Sequence, residues 1–124
     1  MKKYIKRLLY IHTLSLVLVF LIVWGVSLLK CEVLTNKYYD ELEYAHSENT
    51  MIGKINSFKV LDCDGKTAEV YYVCDNNSVG NVLKYQKENG EWKEIRWDCI
   101  WSKQGSADEM IWPYWYHRLI YVRL

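Results

Sequence analysis

The 124-residue sequence lacks the short motifs that mark common catalytic and metal sites. It has no glycine-rich phosphate loop and no serine elbow, so nothing indicates phosphoryl transfer or a serine hydrolase. Its four cysteines form no Cys-x-x-Cys pair, the spacing typical of zinc and redox sites. Zinc needs converging ligands, and the candidates are scattered along the chain: His46, Cys74, Cys99 and His117. We therefore expect a non-catalytic protein without a metal or cofactor.

Formal charge is absent from residues 8–29, with His12 taken as neutral. At ~1.5 Å rise per residue, a helix of this length spans ~33 Å, enough to cross a hydrocarbon core of ~30 Å. Its central part, residues 16–24, has no polar side chain except the indole N–H of Trp24. A core helix of a soluble protein would show a polar stripe there. The sequence predicts a transmembrane helix.

Processing signals are also missing around this stretch. No Ala-x-Ala-like cleavage site precedes Lys30, and a lipidated Cys31 would require a small residue where Lys30 stands. We predict a permanent anchor in residues 1–30 and a single domain in residues 31–124, with cleavage and lipidation as the alternatives. Lipid is then the partner of residues 8–29.

The distribution of charge predicts the orientation of the anchor. The first thirty residues contain five basic residues and no acidic one, and four of the five precede the apolar stretch. The remaining 94 residues carry 11 basic and 15 acidic residues, a net charge of −4. The positive-inside rule predicts a single-pass protein of the cell membrane, in a bacterium, with a cytoplasmic N-terminus and an extracytoplasmic domain. An acidic domain argues against nucleic acid as a partner.

The periodicity after the anchor predicts a helix and then an antiparallel sheet. Residues 32–47 have helical spacing of apolar residues, and Thr35 or Asn36 would cap this helix if it were separate from the span. Asp64-Gly65 and Asn89-Gly90 are strong hairpin signals. The segments around them have strand patterns: residues 56–63, 67–74, 79–87 and 91–101.

The last hairpin predicts a register. A three-residue loop over residues 89–91 would place Tyr85 opposite Ile95 and Leu83 opposite Trp97. Alternation in the fourth strand would put four side chains on one face: Ile95, Trp97, Cys99 and Trp101.

The segment after Trp101 has a different pattern. Residues 106–109 have the capping-box form Ser-x-x-Glu and predict one helical turn, which Pro113 would end. Residues 114–124 fit either a fifth strand or an apolar tail packed under the sheet. The expected fold class is α+β: one N-terminal transmembrane helix, then a small domain of a helix and a four- to five-stranded antiparallel sheet.

Two hairpin segments resemble a known group of domains. The motifs Asp-Gly-x-Thr-Ala-x-Val at residues 64–70 and Lys-x-x-Gly-x-Trp-Lys at residues 87–93 are similar to those of small NTF2-like or cystatin-like domains on bacterial lipoproteins and membrane anchors. The resemblance covers residues 33–101, and the aromatic tail and missing lipobox depart from it. It implies a fold but no fixed activity, because such domains serve as enzymes, binders and assembly modules.

Aromatic residues are unusually frequent, at 15% of the chain. They would fill a core, anchor at lipid headgroups, or form a stacking surface for a sugar polymer or protein. The candidate binding residues are concentrated near the C-terminus: Trp101, Trp112, Tyr114, Trp115 and Tyr116. Cys74 and Cys99 are the candidate disulfide pair, although two strand spacings separate them by ~9.5 Å and core thiols are the alternative.

These features predict a membrane-anchored extracytoplasmic binding or interaction module whose partner is an envelope protein or a cell-wall polymer. The alternative is an accessory or immunity-type membrane protein that contacts an envelope partner through its span, where His12, Thr13 and Ser15 are the polar residues. An enzyme is the third alternative.

Overall fold

The chain has an α+β fold, which confirms the predicted class. A computed structural model describes residues 1–46, 52–105 and 107–123. A long helix is followed by a four-stranded sheet and a short helix: α1 (Lys2–His46), β1 (Ile55–Cys63), β2 (Thr67–Cys74), β3 (Val79–Glu88), β4 (Glu91–Ser102) and α2 (Tyr116–Arg123). The strands pair antiparallel in the order β1-β2-β3-β4, so each neighbour in sequence is a neighbour in the sheet.

The helix predicted for residues 32–47 is the continuation of the apolar helix, and the two form the single 45-residue helix α1. Thr35 and Asn36, expected to cap a separate helix, lie inside α1. Within the described part of the chain, the side chains of residues 1–23 are all exposed. This part of α1 is long and apolar enough to cross a membrane.

One stripe of α1 side chains packs on the domain. Its members are spaced alternately by four and three residues and are buried or half-buried: Trp24, Leu28, Cys31, Thr35, Tyr38, Leu42 and Ala45. A mean spacing of 3.5 residues keeps such a stripe on one side of a helix. The stripe begins within the apolar stretch, so the sheet packs on the same helix that would cross the membrane.

The two faces of the sheet form two apolar clusters, because side chains alternate along each strand. One cluster packs against the C-terminal part of α1 and includes Val70, Tyr72, Leu83 and Tyr85 together with Leu42. The other lies on the opposite face, beside α2: Cys31, Tyr71, Val73, Val82, Ile100, Trp101 and Tyr114.

Thr35 joins α1 to β1 through its hydroxyl group. The Oγ1 atom donates to the carbonyl of Cys31 at 2.6 Å and accepts from the backbone N–H of Val60 at 2.8 Å. Both bonds are buried, and a register shift follows Val60 in β1. The hydroxyl therefore satisfies a donor in the sheet that would otherwise be buried without a partner.

Replacing Thr35 by valine should lower the free energy of unfolding by ~1–3 kcal/mol, because it leaves the Val60 N–H buried and unpaired. Thr35→Ser keeps the hydroxyl group and should lose less. Urea unfolding of the full chain in detergent, followed by tryptophan fluorescence, measures both. A loss in Thr35→Ser without a loss in Thr35→Val would show that the methyl group, rather than the hydrogen bond, matters at this position.

A bulge in β4 contradicts the prediction that four alternating side chains share one face. Gly80 pairs with Trp101 and Asn81 pairs with Cys99, so Ile100 is an extra residue in β4. An extra residue reverses the alternation beyond it. Trp101 therefore lies in the cluster beside α2, on the face opposite Cys99.

The predicted register holds in the middle of β4 and fails nearer the turn. Leu83 lies opposite Trp97, as predicted, but Tyr85 lies opposite Glu94 because Ile95 is a second extra residue. The loop contains two residues, Asn89 and Gly90, and not the predicted three. Both have positive φ, at 52° and 79°, as a type I′ hairpin turn requires.

The segment after β4 follows the edge of the sheet. Residue 106 lies outside the described residues, so the Ser-x-x-Glu cap is not described in full. Residues 107–109 form a bridge to β4, with Ser102 N–H donating to Ala107 O at 3.1 Å and Glu109 N–H to Ile100 O at 2.7 Å. A helical turn over these residues and a fifth strand after Tyr114 were both wrong, because the chain pairs with β4 and then forms α2.

Candidate functional site

An uncharged loop connects the edge of β4 to α2. We call residues 110–116, with the sequence Met-Ile-Trp-Pro-Tyr-Trp-Tyr, the aromatic loop; none of them carries a formal charge. At its base, the guanidinium group of Arg118 contacts the carboxylate of Asp108. This ion pair holds the two ends of the loop together.

The aromatic loop packs on the apolar part of α1. The indole N–H of Trp24 donates to the carbonyl of Pro113 at 2.9 Å. Three ring pairs add to this contact at centroid distances of 5.5–6.0 Å: Phe20–Trp112, Trp24–Trp115 and Trp24–Tyr116. The C-terminal segment therefore touches the predicted span.

Trp101 is held between the sheet and α2. Its ring stacks on Tyr121 with centroids 5.6 Å apart, and its Nε1–H donates to the hydroxyl of Tyr71 at 2.9 Å. A Cβ atom on Gly80 would lie 2.3 Å from Trp101 Nε1, closer than van der Waals contact allows. Gly80 makes room for this ring, which is 1% exposed.

His117 lies beyond Tyr71 in the same network. The Tyr71 hydroxyl, which accepts from Trp101, also lies within hydrogen-bond distance of His117 Nδ1, 3.1 Å away. Burial, with a smaller contribution from Lys59, lowers the pKa of His117 to about 4. The imidazole is therefore neutral at physiological pH.

Glu32 connects α1, β1 and the aromatic loop. Its carboxylate accepts from the Tyr114 hydroxyl at 2.9 Å and from Lys59 Nζ at 2.8 Å. Burial alone would raise the pKa of Glu32, but the hydrogen bonds from Lys59 and Tyr114 outweigh it and lower that pKa below 4.5. The carboxylate is charged and paired.

The structure separates the five candidate binding residues into two groups. Trp101 and Tyr114 are 1% and 2% exposed and belong to the core. Trp112 is 43% exposed, and Trp115 and Tyr116 are half-buried against Trp24. A binding role stays a prediction for the second group, whereas the first offers almost no surface to a partner.

Cys74 and Cys99 lie on the same face of the sheet, near Asn81. Asn81 pairs with Cys99 across the strands, and its Nδ2 is 3.7 Å from Cys74 Sγ. Both thiols are free, as are Cys31 and Cys63. Burial raises the pKa of Cys74 to about 11 and also raises the pKa of Cys99. The disulfide stays a prediction.

The exposed apolar residues of the sheet lie on β4. Ile95 is 51% exposed and Trp97 is 43% exposed, with the Trp97 indole donating to Asn81 Oδ1 at 2.9 Å. The sequence predicts that these two side chains share a face of β4, and the extra residue at Ile95 changes the pairing on the side of the turn, whereas Trp97 keeps its predicted place opposite Leu83. Within the described residues, no three His, Cys, Asp or Glu side chains converge as metal ligands would.

Sequence reasoning missed Phe20 and Trp24 as partners of the C-terminal segment. The four-three spacing that starts at Trp24 was readable and could have predicted one continuous helix with a packed side. No protein-family model, curated protein or solved structure matches the chain. The functional argument therefore depends on the chain's own contacts.

Proposed function

We propose that this protein is a single-pass protein of a bacterial cell membrane whose extracytoplasmic domain is a non-catalytic binding module. The observation that carries the proposal is the stripe of α1, which packs the sheet on the same helix that is apolar enough to cross a bilayer. The exposed apolar side chains in residues 8–23 need a nonpolar environment, which a membrane supplies.

The chemistry of the thiols and of His117 supports a role without catalysis. Burial raises the pKa of all four cysteines, which favours the unreactive thiol over the thiolate. The Nδ1 atom of His117 is already engaged by Tyr71. A binding module needs neither a nucleophile nor a base, and its partner here is an envelope protein or a cell-wall polymer.

The resemblance to NTF2-like or cystatin-like domains is part of the same proposal. It is supported by the two hairpins at Asp64-Gly65 and Asn89-Gly90, which connect consecutive antiparallel strands. At the first, the Asp64 carboxylate accepts backbone N–H groups from Lys66 and Thr67.

The orientation is tested with two introduced cysteines at exposed positions on either side of the span. A membrane-impermeant maleimide should label Gln104→Cys in intact cells and should label Lys3→Cys only after lysis. The unmodified chain is the control for native thiols, of which Cys31 and Cys74 are buried. Labelling of Lys3→Cys alone in intact cells would reverse the proposed orientation.

The alternative function, an accessory or immunity-type protein acting through its span, is favoured by the exposed apolar surface of α1, where Leu16 is 71% exposed. A photo-crosslinking amino acid at Ile95 tests the domain, and the same group at Leu16 tests the span. A discrete protein or polymer adduct from position 95 alone supports the binding module. An adduct from position 16 alone supports the alternative.

A further inference from the structure

We propose that the aromatic loop is a second membrane-contacting element, which lies in the outer boundary of the lipid bilayer beside the span. The proposal rests on the proposed function, since it requires α1 to cross the membrane. Its ligand is the bilayer itself, at the level where acyl chains meet headgroups.

The contacts of the loop place its tip nearer to the middle of the span than Lys30, the first charged residue on the outer side. Lys30 ends the uncharged stretch of α1. Trp24 precedes Lys30 by six residues and Phe20 by ten, distances of ~9 Å and ~15 Å along a helix. Trp112 packs on Phe20, and Pro113 accepts the hydrogen bond from Trp24. The tip of the loop therefore lies at a depth where the span is still apolar.

The composition and exposure of the loop fit that position. Tryptophan and tyrosine are enriched where a bilayer meets water, because their rings are apolar and carry one polar group. Four of the seven loop residues are tryptophan or tyrosine. Met110 and Trp112 are 52% and 43% exposed beside an α1 surface that is itself bare.

The hydrogen bond from the Tyr114 side chain points away from the tip of the loop. The Tyr114 hydroxyl donates to Glu32, which lies beyond Lys30 on the domain side. The nearest charged residues in the chain are Glu109 and Arg118, both outside the loop, and Arg118 is paired with Asp108. A bilayer around Trp112 would bury no formal charge of the loop.

Quenching of tryptophan fluorescence tests the proposal on the full chain in phosphatidylcholine vesicles that contain brominated lipid. Trp112→Phe should reduce the lipid-quenchable fluorescence by roughly a third, because Trp112 is one of three tryptophans, with Trp24 and Trp115, placed at the boundary. Trp97→Phe is the matched control, since Trp97 is also 43% exposed but lies on the sheet. It should leave the lipid-quenchable fluorescence unchanged and reduce quenching by aqueous iodide.

A double variant separates this proposal from the proposed membrane anchor. In Trp112→Phe/Trp115→Phe, the remaining lipid-quenchable tryptophan is Trp24. If Trp24 is quenched by lipid and Trp112 in the unmodified chain is quenched only by iodide, the anchor stands and the loop proposal fails. If Trp24 is not quenched by lipid either, the anchor itself is wrong. Protection of Trp112 from both quenchers would assign its surface to a protein contact and would also overturn the loop proposal.

Discussion

The Gly80→Ala variant is expected to lose about 3 kcal/mol of unfolding free energy, at the upper end of the range for overpacking a core. The added Cβ would lie 2.3 Å from Nε1 and 2.4 Å from Cε2 of Trp101. Trp101 has little freedom to move, because Tyr121 stacks on its ring and Tyr71 accepts from its indole. Urea unfolding of the full chain in detergent measures the loss.

Two further variants show whether this loss comes from the contact with Trp101. Gly25→Ala is the control, since its added Cβ would meet no side chain and no other segment within 4 Å, and it should not lower the stability because alanine favours a helix more than glycine does. In Gly80→Ala/Trp101→Phe, the smaller ring should relieve the clash, so the two losses should fall short of additivity by ~1–3 kcal/mol. Strict additivity would locate the strain elsewhere in the sheet.

Acidification from pH 6.5 to pH 4 is expected to destabilise the protein through His117. The unfolded chain binds a proton at this residue near pH 6.5, whereas the folded chain does so only near the lowered pKa of about 4. Between these values the unfolded state holds more protons, so the stability rises with pH and is lost as the pH falls. The expected loss is ~1–3 kcal/mol, less than the full pKa difference implies because the ring is only half-buried and partly hydrated.

The groups around His117 do not account for the expected loss of stability between pH 6.5 and pH 4. The rings in contact with it belong to tyrosines, and the nearby charge is Lys59. Glu32 adds a loss of the same sign at the acid end of this window, below its ordinary pKa of 4.5, because its folded pKa is lowered. His117→Gln keeps an acceptor for Tyr71 and removes the titration. A stability profile equally steep in this variant would rule out His117 as the cause.

The strands were predictable from sequence to within one residue at each end, because period-two alternation and two hairpin signals are local properties. The faces of β4 were not predictable. Two extra residues, Ile95 and Ile100, move side chains relative to the partner strand, and their positions depend on how β3 and β4 pack. Gly80 was a hint that went unused, since a glycine inside a strand often marks a close approach.

The aromatic tail was recognised by composition, but its position was not. Whether a tryptophan faces water, lipid or core depends on contacts between residues that are far apart in sequence. Trp24 and Pro113 are 89 positions apart. α2 was equally hidden, because its eight residues contain Ile, Tyr and Val, which also favour strands.

The unbroken helix α1 sets the reach of this protein. Sixteen residues separate Lys30 from the last residue of α1, which corresponds to ~24 Å. If α1 crosses a membrane as proposed, this stiff helix would confine the domain to a thin layer next to the bilayer, whereas a flexible tether would let it search a wide volume. A partner would have to enter that layer, so a protein in the same membrane would meet the domain far more often than a partner held at a distance from it.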